Sequence, residues 1–322
     1  MQQFKLKLSF TPSIRVTVQI IDYLWIIDYK INSMKIYLFI AIFSTLCSIV
    51  YGQEATILNS INEIVKNKKV DIGIAIHDFS TNKTVALKGN ERFPMQSIFK
   101  LPIGIAILQQ VDEQKLTLTQ AVDIPKDKLH LNTWSPIQKK YPNGCSLTML
   151  QLLDYTVAQS DNNGCDILIE MLGGTTPINN YLKRSGLNDI NIEVNEFEMN
   201  SAWKHKYKNW ITPNCAIELL KKIHNKELLS VAMHSQLWKI MTNVKTGSFR
   251  NKLPNTVIVG NKTGSSGYKD GISIATNDIG IMVLPNGKAI AFAIFITNSH
   301  EVADINYEII ADIAKVVFLA YQ

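Results

Sequence analysis

Hydrophobic and polar residues alternate with two different periods along this chain, and the change of period divides it into segments. Residues 69–78, KVDIGIAIHD, alternate with a period of two, which is typical of a β-strand. The turn-forming sequence FSTNKT follows, and TVALKG at 84–89 predicts a second strand. The first segment is therefore predicted to be a β-hairpin.

From Ser97 to about residue 240 the apolar residues recur instead at helical spacing. Four apolar sequences in this segment predict helices: SIFKLPIGIAILQQVDEQ, LTMLQLLDYTVAQS, CDILIEMLG and PNCAIELLKKIHN. Gly173 and Gly174 end the third of these, because glycine commonly terminates a helix. A long helical block therefore follows the hairpin.

After residue 254 the strand pattern returns. Three sequences predict strands: TVIVGNK, GISIATNDIGIMVL and KAIAFAIFITNS. Pro285-Asn286-Gly287 lies between the last two and predicts a hairpin turn. The chain ends in an amphipathic helix at about 301–321.

These elements predict an α+β fold with one antiparallel sheet of five strands, built from both ends of the chain. The terminal helix covers one face of the sheet, and the helical block forms a second lobe. We place the α/β lobe at about 55–95 and 250–322 and the all-α lobe at about 97–245. A small-molecule site is expected in the cleft between the lobes.

The amino terminus predicts export. Met34-Lys35 precedes a long apolar run, and small residues stand at Val50 and Gly52, so residues 34–52 are interpreted as a signal peptide cleaved after Gly52. The alternative is a membrane anchor that is not cleaved. Residues 1–33 are interpreted as an upstream extension arising from a start codon assigned too early. The folded domain is then 53–322.

Charge and cysteine content exclude several classes of protein. The whole chain has a net charge of +6, but without its first 52 residues it holds 28 Lys/Arg and 25 Asp/Glu, a net of +3. This weak charge gives no support for nucleic-acid binding. The six histidines show no metal-binding spacing, so no metal and no other cofactor is expected. The exported part keeps three cysteines, Cys145, Cys165 and Cys215. Because three is an odd number, at least one is free or pairs between chains.

Ser97-Ile98-Phe99-Lys100 is the first candidate for chemistry. A serine and a lysine three residues apart lie on the same face of a helix. A serine needs a base to become a nucleophile, and a buried lysine with a lowered pKa can serve. At the amino terminus of the helix, free N–H groups can also stabilise an oxyanion.

Ser160-Asp161-Asn162 is the second candidate, and it lies in a polar break between two predicted helices. Its serine hydroxyl can transfer a proton to a leaving group, and its Asn side chain can bind an amide. Alternatively, the three residues only cap the following helix. The sequence leaves both interpretations open.

Glu196 and Asn200 form the third candidate. A carboxylate and an amide four residues apart can hold one water between them, with the carboxylate as its general base. The alternative is an ordinary polar loop, since Glu193 and Glu198 lie nearby and compete for the role.

The triplet Lys-Thr-Gly occurs twice. Lys262-Thr263-Gly264 ends an apolar strand, where the N–H of Ser265 and nearby hydroxyls can bind a carboxylate or carbonyl group. Lys245-Thr246-Gly247 follows a helical sequence and is typical of a helix end. Local context therefore favours the second copy as a site wall and predicts that Lys245 faces solvent.

The order of these motifs resembles the class A serine β-lactamases, which share a Ser-x-x-Lys, Ser-Asp-Asn and Lys-Thr-Gly set with penicillin-binding proteins. Ser97, Ser160, Glu196 and Lys262 follow one another at intervals of 63, 36 and 66 residues. The sequences FPMQSIFKLPI, NTWSPI, YKNW and ATNDIGIMVLPNG resemble the branch with PER-, VEB- and CfxA-type enzymes. The resemblance covers about residues 55–320 and implies a β-lactamase/transpeptidase-like fold whose sheet is flanked by terminal helices.

The resemblance also implies catalytic roles. Ser97 is the nucleophile, and Lys100 and Glu196 are the candidate bases for its acylation. Ser160 passes a proton to the β-lactam nitrogen while Lys262 holds it in place. The N–H groups of Ser97 and Ser265 form the oxyanion hole.

The resemblance implies further residues in binding. Asn200 positions the deacylating water with Glu196, and Asn162 binds the side-chain amide of the substrate. Thr263, Gly264 and Ser265 bind its carboxylate with Arg250 as the supporting arginine, and Trp134 forms an aromatic wall at the cleft mouth. For Trp134 the alternative is a buried core residue.

Two departures from the family pattern concern the loop that carries Glu196. Val194 stands where many members have an arginine, and Asn209 stands where its acidic partner is usual. The customary Arg–Asp pair cannot form, so Asp166 and Asn209 are expected to hold the loop through hydrogen bonds.

The implied function is hydrolysis of the β-lactam ring of penicillins and cephalosporins through an acyl-enzyme, which confers antibiotic resistance. The protein is expected to be a periplasmic monomer, without membrane attachment after signal cleavage. Two alternatives share most of the motifs: a penicillin-binding transpeptidase or carboxypeptidase, and a β-lactam sensor that is acylated without turnover. Neither requires Glu196 with Asn200, so this pair favours the hydrolase.

Overall fold

The computed structural model describes residues 55–322, so the predicted signal peptide and upstream extension lie outside the described residues. The strands are β1 (Asp71–Asp78), β2 (Lys83–Leu87), β3 (Phe93–Pro94), β4 (Ala121–Pro125), β5 (Gly144–Thr148), β6 (Ile190–Asn191), β7 (Trp210–Ile211), β8 (Ile258–Ser265), β9 (Tyr268–Lys269), β10 (Ile272–Ser273), β11 (Thr276–Val283) and β12 (Ala289–Thr297). The main sheet is antiparallel with the order β2-β1-β12-β11-β8. The predicted α+β fold with a five-stranded antiparallel sheet is confirmed.

The helices lie mostly between these two groups of strands. They are α1 (55–65), α2 (Lys100–Asp112), α3 (Pro136–Lys140), α4 (Met149–Leu153), α5 (Asn162–Met171), α6 (Thr175–Arg184), α7 (Glu196–Ser201), α8 (Pro213–His224), α9 (Val231–Thr242) and α10 (Ala303–Tyr321). Within residues 55–322, none of these helices has the length and apolar character needed to cross a membrane.

Strand β12 shows how the sheet separates two hydrophobic cores, because successive side chains of a strand point to opposite faces. One set of its residues packs in the core with the terminal helices α1 and α10: Ile290, Phe292, Ile294 and Ile296. The alternate set packs in the core of the helical lobe: Ala291, Ala293 and Phe295. Both faces of the strand are therefore buried.

The first predicted helix is divided at its start. Gln96–Phe99 form a 3₁₀ turn, and α2 begins only at Lys100. Pro102 is the third residue of α2, where the missing N–H costs no intrahelical hydrogen bond. The sequence therefore places a serine in a tight turn directly before a long buried helix.

Two other elements are shorter than predicted. The helix predicted at 147–160 is α4 followed by a π-helical turn, Asp154–Ala158. The strand predicted at 271–284 divides into β10 and β11, because the Ser266 hydroxyl accepts the N–H groups of Ile274 and Ala275 at 3.0 and 3.1 Å. Both interruptions lie near the cleft.

The cysteines carry no disulfide among the described residues. Cys145, Cys165 and Cys215 are free thiols, and Cys165 is fully buried in the helical lobe. Burial raises the pKa of the Cys165 thiol well above its usual value. This residue is therefore a small apolar core group.

Candidate active site

Ser97 lies in the 3₁₀ turn that leads into α2. The residue before it, Gln96, is buried and has a left-handed φ of 45°. Its side-chain Nε2 donates a hydrogen bond to the carbonyl of Lys206 at 2.8 Å. This contact holds an otherwise unfavourable backbone conformation and fixes the turn that presents Ser97.

The ammonium of Lys100 connects Ser97 to an acidic residue. Lys100 Nζ lies 2.8 Å from Ser97 Oγ, 2.6 Å from Glu196 Oε1 and 2.6 Å from Asn162 Oδ1. Both Lys100 and Glu196 are buried. Ser97 Oγ also lies 3.4 Å from Glu196 Oε1. Two candidate bases therefore lie within reach of one hydroxyl, as general-base chemistry requires.

In the Ser-Asp-Asn motif, the aspartate caps a helix and the other two residues line the cleft. Asp161 caps α5, since its side chain accepts the N–H of Gly164 at 2.8 Å. Ser160 has a left-handed φ of 60°, and both Ser160 and Asn162 line the cleft. Asn162 Nδ2 donates to Thr133 Oγ1 at 2.6 Å, which orients its amide.

Hydrogen bonds to the backbone hold the loop that carries Glu196. Asp166 accepts the N–H groups of Glu196 and Phe197 at 2.7 and 2.9 Å. Burial raises the pKa of Asp166 to about 7, and these two hydrogen bonds oppose the rise. Asn209 accepts the N–H of Val194 at 3.0 Å and donates to its carbonyl at 2.8 Å. Each of the two residues expected to replace the Arg–Asp pair therefore binds the loop.

Asn200 lies one helical turn after Glu196 on α7. Its Nδ2 is 3.4 Å from Glu196 Oε2 and 2.9 Å from the Glu196 carbonyl. Its Oδ1 accepts a hydrogen bond from Lys206 Nζ at 2.8 Å. The amide therefore points its N–H₂ group toward the carboxylate, as shared binding of one water requires.

Lys262 lies on β8, on the opposite wall of the cleft. Its Nζ lies 3.0 Å from Ser160 Oγ and 2.8 Å from the Thr263 carbonyl. Burial, together with the charge of Lys100, lowers the pKa of Lys262 to about 7. Ser97 and Ser160 thus each contact a buried lysine.

The two Lys-Thr-Gly triplets are in contact. Thr246 Oγ1 and Thr263 Oγ1 share a hydrogen bond of 2.8 Å, and both residues line the cleft. Gly264 lies so close to the turn that carries Ser97 that a Cβ there would be 2.5 Å from the Met95 carbonyl oxygen. Lys245 is exposed. The first triplet therefore supports the second.

Trp134 and Arg250 lie in different environments. Trp134 is 64% exposed, lines the cleft and donates from Nε1 to the Gln159 carbonyl at 2.9 Å. Arg250 is half-buried and donates to the carbonyls of Val244, at 2.8 Å, and Val259. The structure brings Trp134 to the cleft mouth, whereas Arg250 lies behind the wall and does not line the cavity.

The cleft has a volume of about 500 Å³ and is lined by residues of both lobes, including Ser265. Its size suits a small molecule. Within residues 55–322, no group of three or more His, Cys, Asp or Glu residues is arranged to hold a metal ion.

Comparison with known proteins matches this geometry. Residues 56–321 match the beta-lactamase enzyme family. Beta-lactamase VEB-1 of Pseudomonas aeruginosa is 40% identical over 88% of this chain and 96% of its own length. Extended-spectrum beta-lactamase PER-1 of the same organism is 38% identical over 83% and 88%. A class A beta-lactamase structure from Bacteroides cellulosilyticus superposes with a TM-score of 0.80 at 35% identity, over 83% of this chain and 98% of that chain.

The chain belongs to the class A β-lactamase family. The resemblance predicted from its motifs is confirmed, and the protein is a serine β-lactamase that hydrolyses β-lactam antibiotics.

Several residues that line this β-lactamase cleft were not predicted as site residues, among them Thr246, Asp278 and Lys206. Thr246 was assigned to a helix end, and only its contact with Thr263 reveals its position. Asp278 lies fully buried on β11, where burial raises its pKa to about 7. The polar sequence Thr276-Asn277-Asp278 at the start of an apolar strand was the available signal. Lys206 gave none, because it lies in an ordinary polar sequence.

Proposed function

We propose that this β-lactamase opens the four-membered ring of penicillins and cephalosporins through an acyl-enzyme on Ser97. The observation that carries this assignment is Lys100 Nζ, which contacts Ser97 Oγ at 2.8 Å and Glu196 Oε1 at 2.6 Å. The nucleophile, the amine and the carboxylate form one connected network, so a proton leaving Ser97 has an adjacent acceptor.

In the acylation step, Ser97 Oγ attacks the β-lactam carbonyl carbon while its proton passes to the network of Lys100 and Glu196. The N–H groups of Ser97 and Ser265 bind the developing oxyanion. The ring C–N bond breaks, Ser160 donates its proton to the nitrogen, and the proton that left Ser97 is passed on to Ser160 and restores its hydroxyl. Lys262, 3.0 Å from Ser160 Oγ, holds that hydroxyl in position.

In the deacylation step, a water held between Glu196 and Asn200 attacks the ester carbonyl. Glu196 takes one proton of the water, and Ser97 leaves with a proton restored. The 3.4 Å separation between Glu196 Oε2 and Asn200 Nδ2 supports this role, because both groups can bind the same water.

Substrate binding is proposed along the same two walls. Asn162 binds the side-chain amide, Trp134 covers the cleft mouth, and Thr263 with Ser265 binds the ring carboxylate next to Gly264. We assign Arg250 an indirect part in carboxylate binding, since it donates hydrogen bonds to the backbone at both ends of the segment that contains Thr246.

Two broader features belong to the proposal. The name of PER-1 describes an extended-spectrum enzyme, which supports the extension of the substrate range to oxyimino-cephalosporins. The apolar sequence after Met34 supports export to the periplasm.

The Glu196→Ala variant tests the catalytic assignment. Acylation by a chromogenic cephalosporin should proceed, whereas deacylation should slow by about 10³-fold, because the general base is lost. Intact mass spectrometry should then show a persistent adduct on the variant. Glu193→Ala, which removes an exposed carboxylate paired with Lys208, is the matched control and should turn over normally.

Two outcomes would contradict the proposal. Turnover by Glu196→Ala at the wild-type rate would remove Glu196 from deacylation. A wild-type protein that forms a stable adduct without turnover would instead support the sensor or the transpeptidase alternative.

A further inference from the structure

Lys206 is a positive charge on the wall of the cleft opposite β8. It lies in the 3₁₀ turn Trp203–Tyr207, is half-buried, and lines the cavity together with Met199 and Asn200. Its Nζ donates to Asn200 Oδ1 at 2.8 Å. An ammonium has three N–H groups, so this single named contact leaves donors available to a ligand.

The charge of Lys206 has no direct counter-ion in the described part of the chain. None of the ion pairs between residues 55 and 322 includes it. Burial lowers the pKa of Lys206, and the charge of Glu196 offsets only part of this effect. A half-buried cation without a carboxylate partner is costly unless an anion binds to it.

Lys206 is also the only lysine or arginine of residues 55–322 that lines the cleft, because Lys100 and Lys262 are fully buried behind its surface. The main chain at Lys206 is held in place, since Gln96, the residue before the nucleophile, donates to its backbone carbonyl at 2.8 Å. Its position relative to Ser97 is therefore fixed by the same contact that stabilises the nucleophile turn.

The position of Lys206 indicates which part of a substrate would reach it. The ring carboxylate that penicillins and cephalosporins share is assigned above to Thr263 and Ser265 on the sheet wall. The side-chain amide is assigned to Asn162, on the helical side of Ser97. The side chain beyond that amide then extends along the wall that carries Asn200 and Lys206.

We propose that Lys206 is a specificity-determining residue, which selects β-lactams that carry a second carboxylate on the acylamide side chain. This inference rests on the proposed function and specifies its substrate class. A substrate with two carboxylates would be held at both walls, one at Thr263 and Ser265 and the other at Lys206. Charge-assisted hydrogen bonds of this kind are about twice as strong as neutral ones.

A simpler role for Lys206 is to orient Asn200, and the test must separate the two. Loss of orientation would slow deacylation of every substrate alike, whereas loss of a binding charge would affect only carboxylated side chains. Two matched substrate pairs make this distinction. Carbenicillin differs from benzylpenicillin by one side-chain carboxylate. Ceftazidime carries a carboxylate on the oxyimino group that cefotaxime lacks; it also bears a pyridinium group at C3, a difference that cancels when the same ratio is compared between wild type and variant.

The experiment measures kcat/KM for these four compounds with wild type, Lys206→Gln and Lys206→Arg. Lys206→Gln should lower the ratio of carboxylated to uncarboxylated substrate about tenfold in at least one pair. Lys206→Arg, which keeps the charge, should retain most of the ratio. Lys204→Gln removes an exposed charge two residues away and should leave both ratios unchanged.

Lys206→Gln could instead lose activity equally on all four compounds and keep both ratios within about twofold of wild type. That result would overturn the proposal and leave Lys206 as a positioning residue for Asn200. Failure of the wild type to hydrolyse benzylpenicillin and cefotaxime would instead reject the proposed function itself. Increasing salt should reduce the wild-type preference, since screening weakens the attraction between partly exposed charges.

Discussion

The two walls of the cleft each bury a lysine, but they surround it with different partners. On the helical wall, Lys100 Nζ lies 2.6 Å from the carboxylate of Glu196, so opposite charges meet directly. On the sheet wall, Lys262 Nζ contacts the neutral oxygens of Ser160 and Thr263. Burial costs both lysines solvation, yet only one of them has a carboxylate in contact to offset that cost.

The sheet wall also contains polar atoms without hydrogen-bond partners among the described residues. Four buried side-chain atoms lack a partner there: Ser248 Oγ, Asn261 Oδ1, Asn277 Oδ1 and Asp278 Oδ2. Unpaired buried groups of this kind destabilise a fold. The comparison indicates that the helical wall is a closed ion-pair network, whereas the sheet wall holds its charges at a cost in stability that depends on pH.

The largest expected effect comes from breaking the helical network. Lys100→Met removes the group beside Ser97 Oγ and leaves the buried Glu196 without its counter-ion, so acylation should slow by about 10³-fold or more. The same change should lower the free energy of unfolding by about 3–5 kcal/mol. Stopped-flow acylation with a chromogenic cephalosporin and urea denaturation measure the two effects.

Lys115→Met is the control for this change, because Lys115 pairs with Glu113 at 2.7 Å on the surface. Loss of an exposed ion pair should cost about 0–1 kcal/mol and should not alter acylation. If the two variants behaved alike, the ion pair of the helical wall would have no special role.

A smaller effect is expected where the two Lys-Thr-Gly triplets touch. Gly247 has φ of +89°, and a Cβ there would lie 2.5 Å from Thr263 Cγ2 and 2.8 Å from Asp278 Oδ2. Gly247→Ala should therefore combine backbone strain with a clash and cost about 3 kcal/mol of stability. It should also raise KM, because Thr263 is displaced.

Gly271→Ala separates strain from clash. Gly271 has φ of +76°, and a Cβ there would meet no atom within 4 Å. This control should cost about 1 kcal/mol and leave KM unchanged. Equal losses in the two glycine variants would show that contact between the triplets is not important for the sheet wall.

The smallest effect is the pH dependence caused by Lys262. Its folded-state pKa of about 7 lies below the ordinary value of 10.5, so between these values the unfolded chain binds a proton that the folded chain does not. Stability from this group therefore increases as pH rises above 7. The difference in unfolding free energy between wild type and Lys262→Met should grow by about 2 kcal/mol from pH 7 to pH 9.

Lys245→Met is the control, because it removes the lysine of the other triplet, which is exposed. Both variants lose one positive charge, so general charge effects cancel in the comparison. A wild-type advantage over Lys262→Met that stayed constant across this range would mean that the Lys262 ammonium is balanced by a nearby charge, as Lys100 is.

Much of the fold could be predicted from sequence because its signals are local. β1 shows the alternation typical of strands, β12 is a continuous apolar run, and the Pro285-Asn286-Gly287 turn joins β11 to β12. The interruption before β11 was missed because its cause is one side chain that takes backbone N–H groups, which hydrophobic periodicity does not record. Strand β11 starts only at Thr276, since Ser266 takes the backbone N–H groups that a longer strand would use.

In the candidate site, too, contacts set by local spacing could be predicted, and contacts set by packing could not. Ser97 and Lys100 are brought together by helical spacing alone, so their contact could be predicted. The contact of Lys206 with Asn200 and the burial of Asp278 arise where the loop and the sheet are packed by other elements. Pattern and spacing do not encode such environments, and only the three-dimensional arrangement reveals them.

The position of β8 at the end of the sheet has a further consequence. An edge strand offers main-chain N–H and C=O groups to any extended ligand, and these groups are indifferent to the ligand's side chains. Any extended part of a ligand that aligns with β8 would act as a short additional strand of the sheet. Affinity for the common core of the antibiotic and selectivity among its substituents would then reside on different walls, so either property could change by mutation without the other.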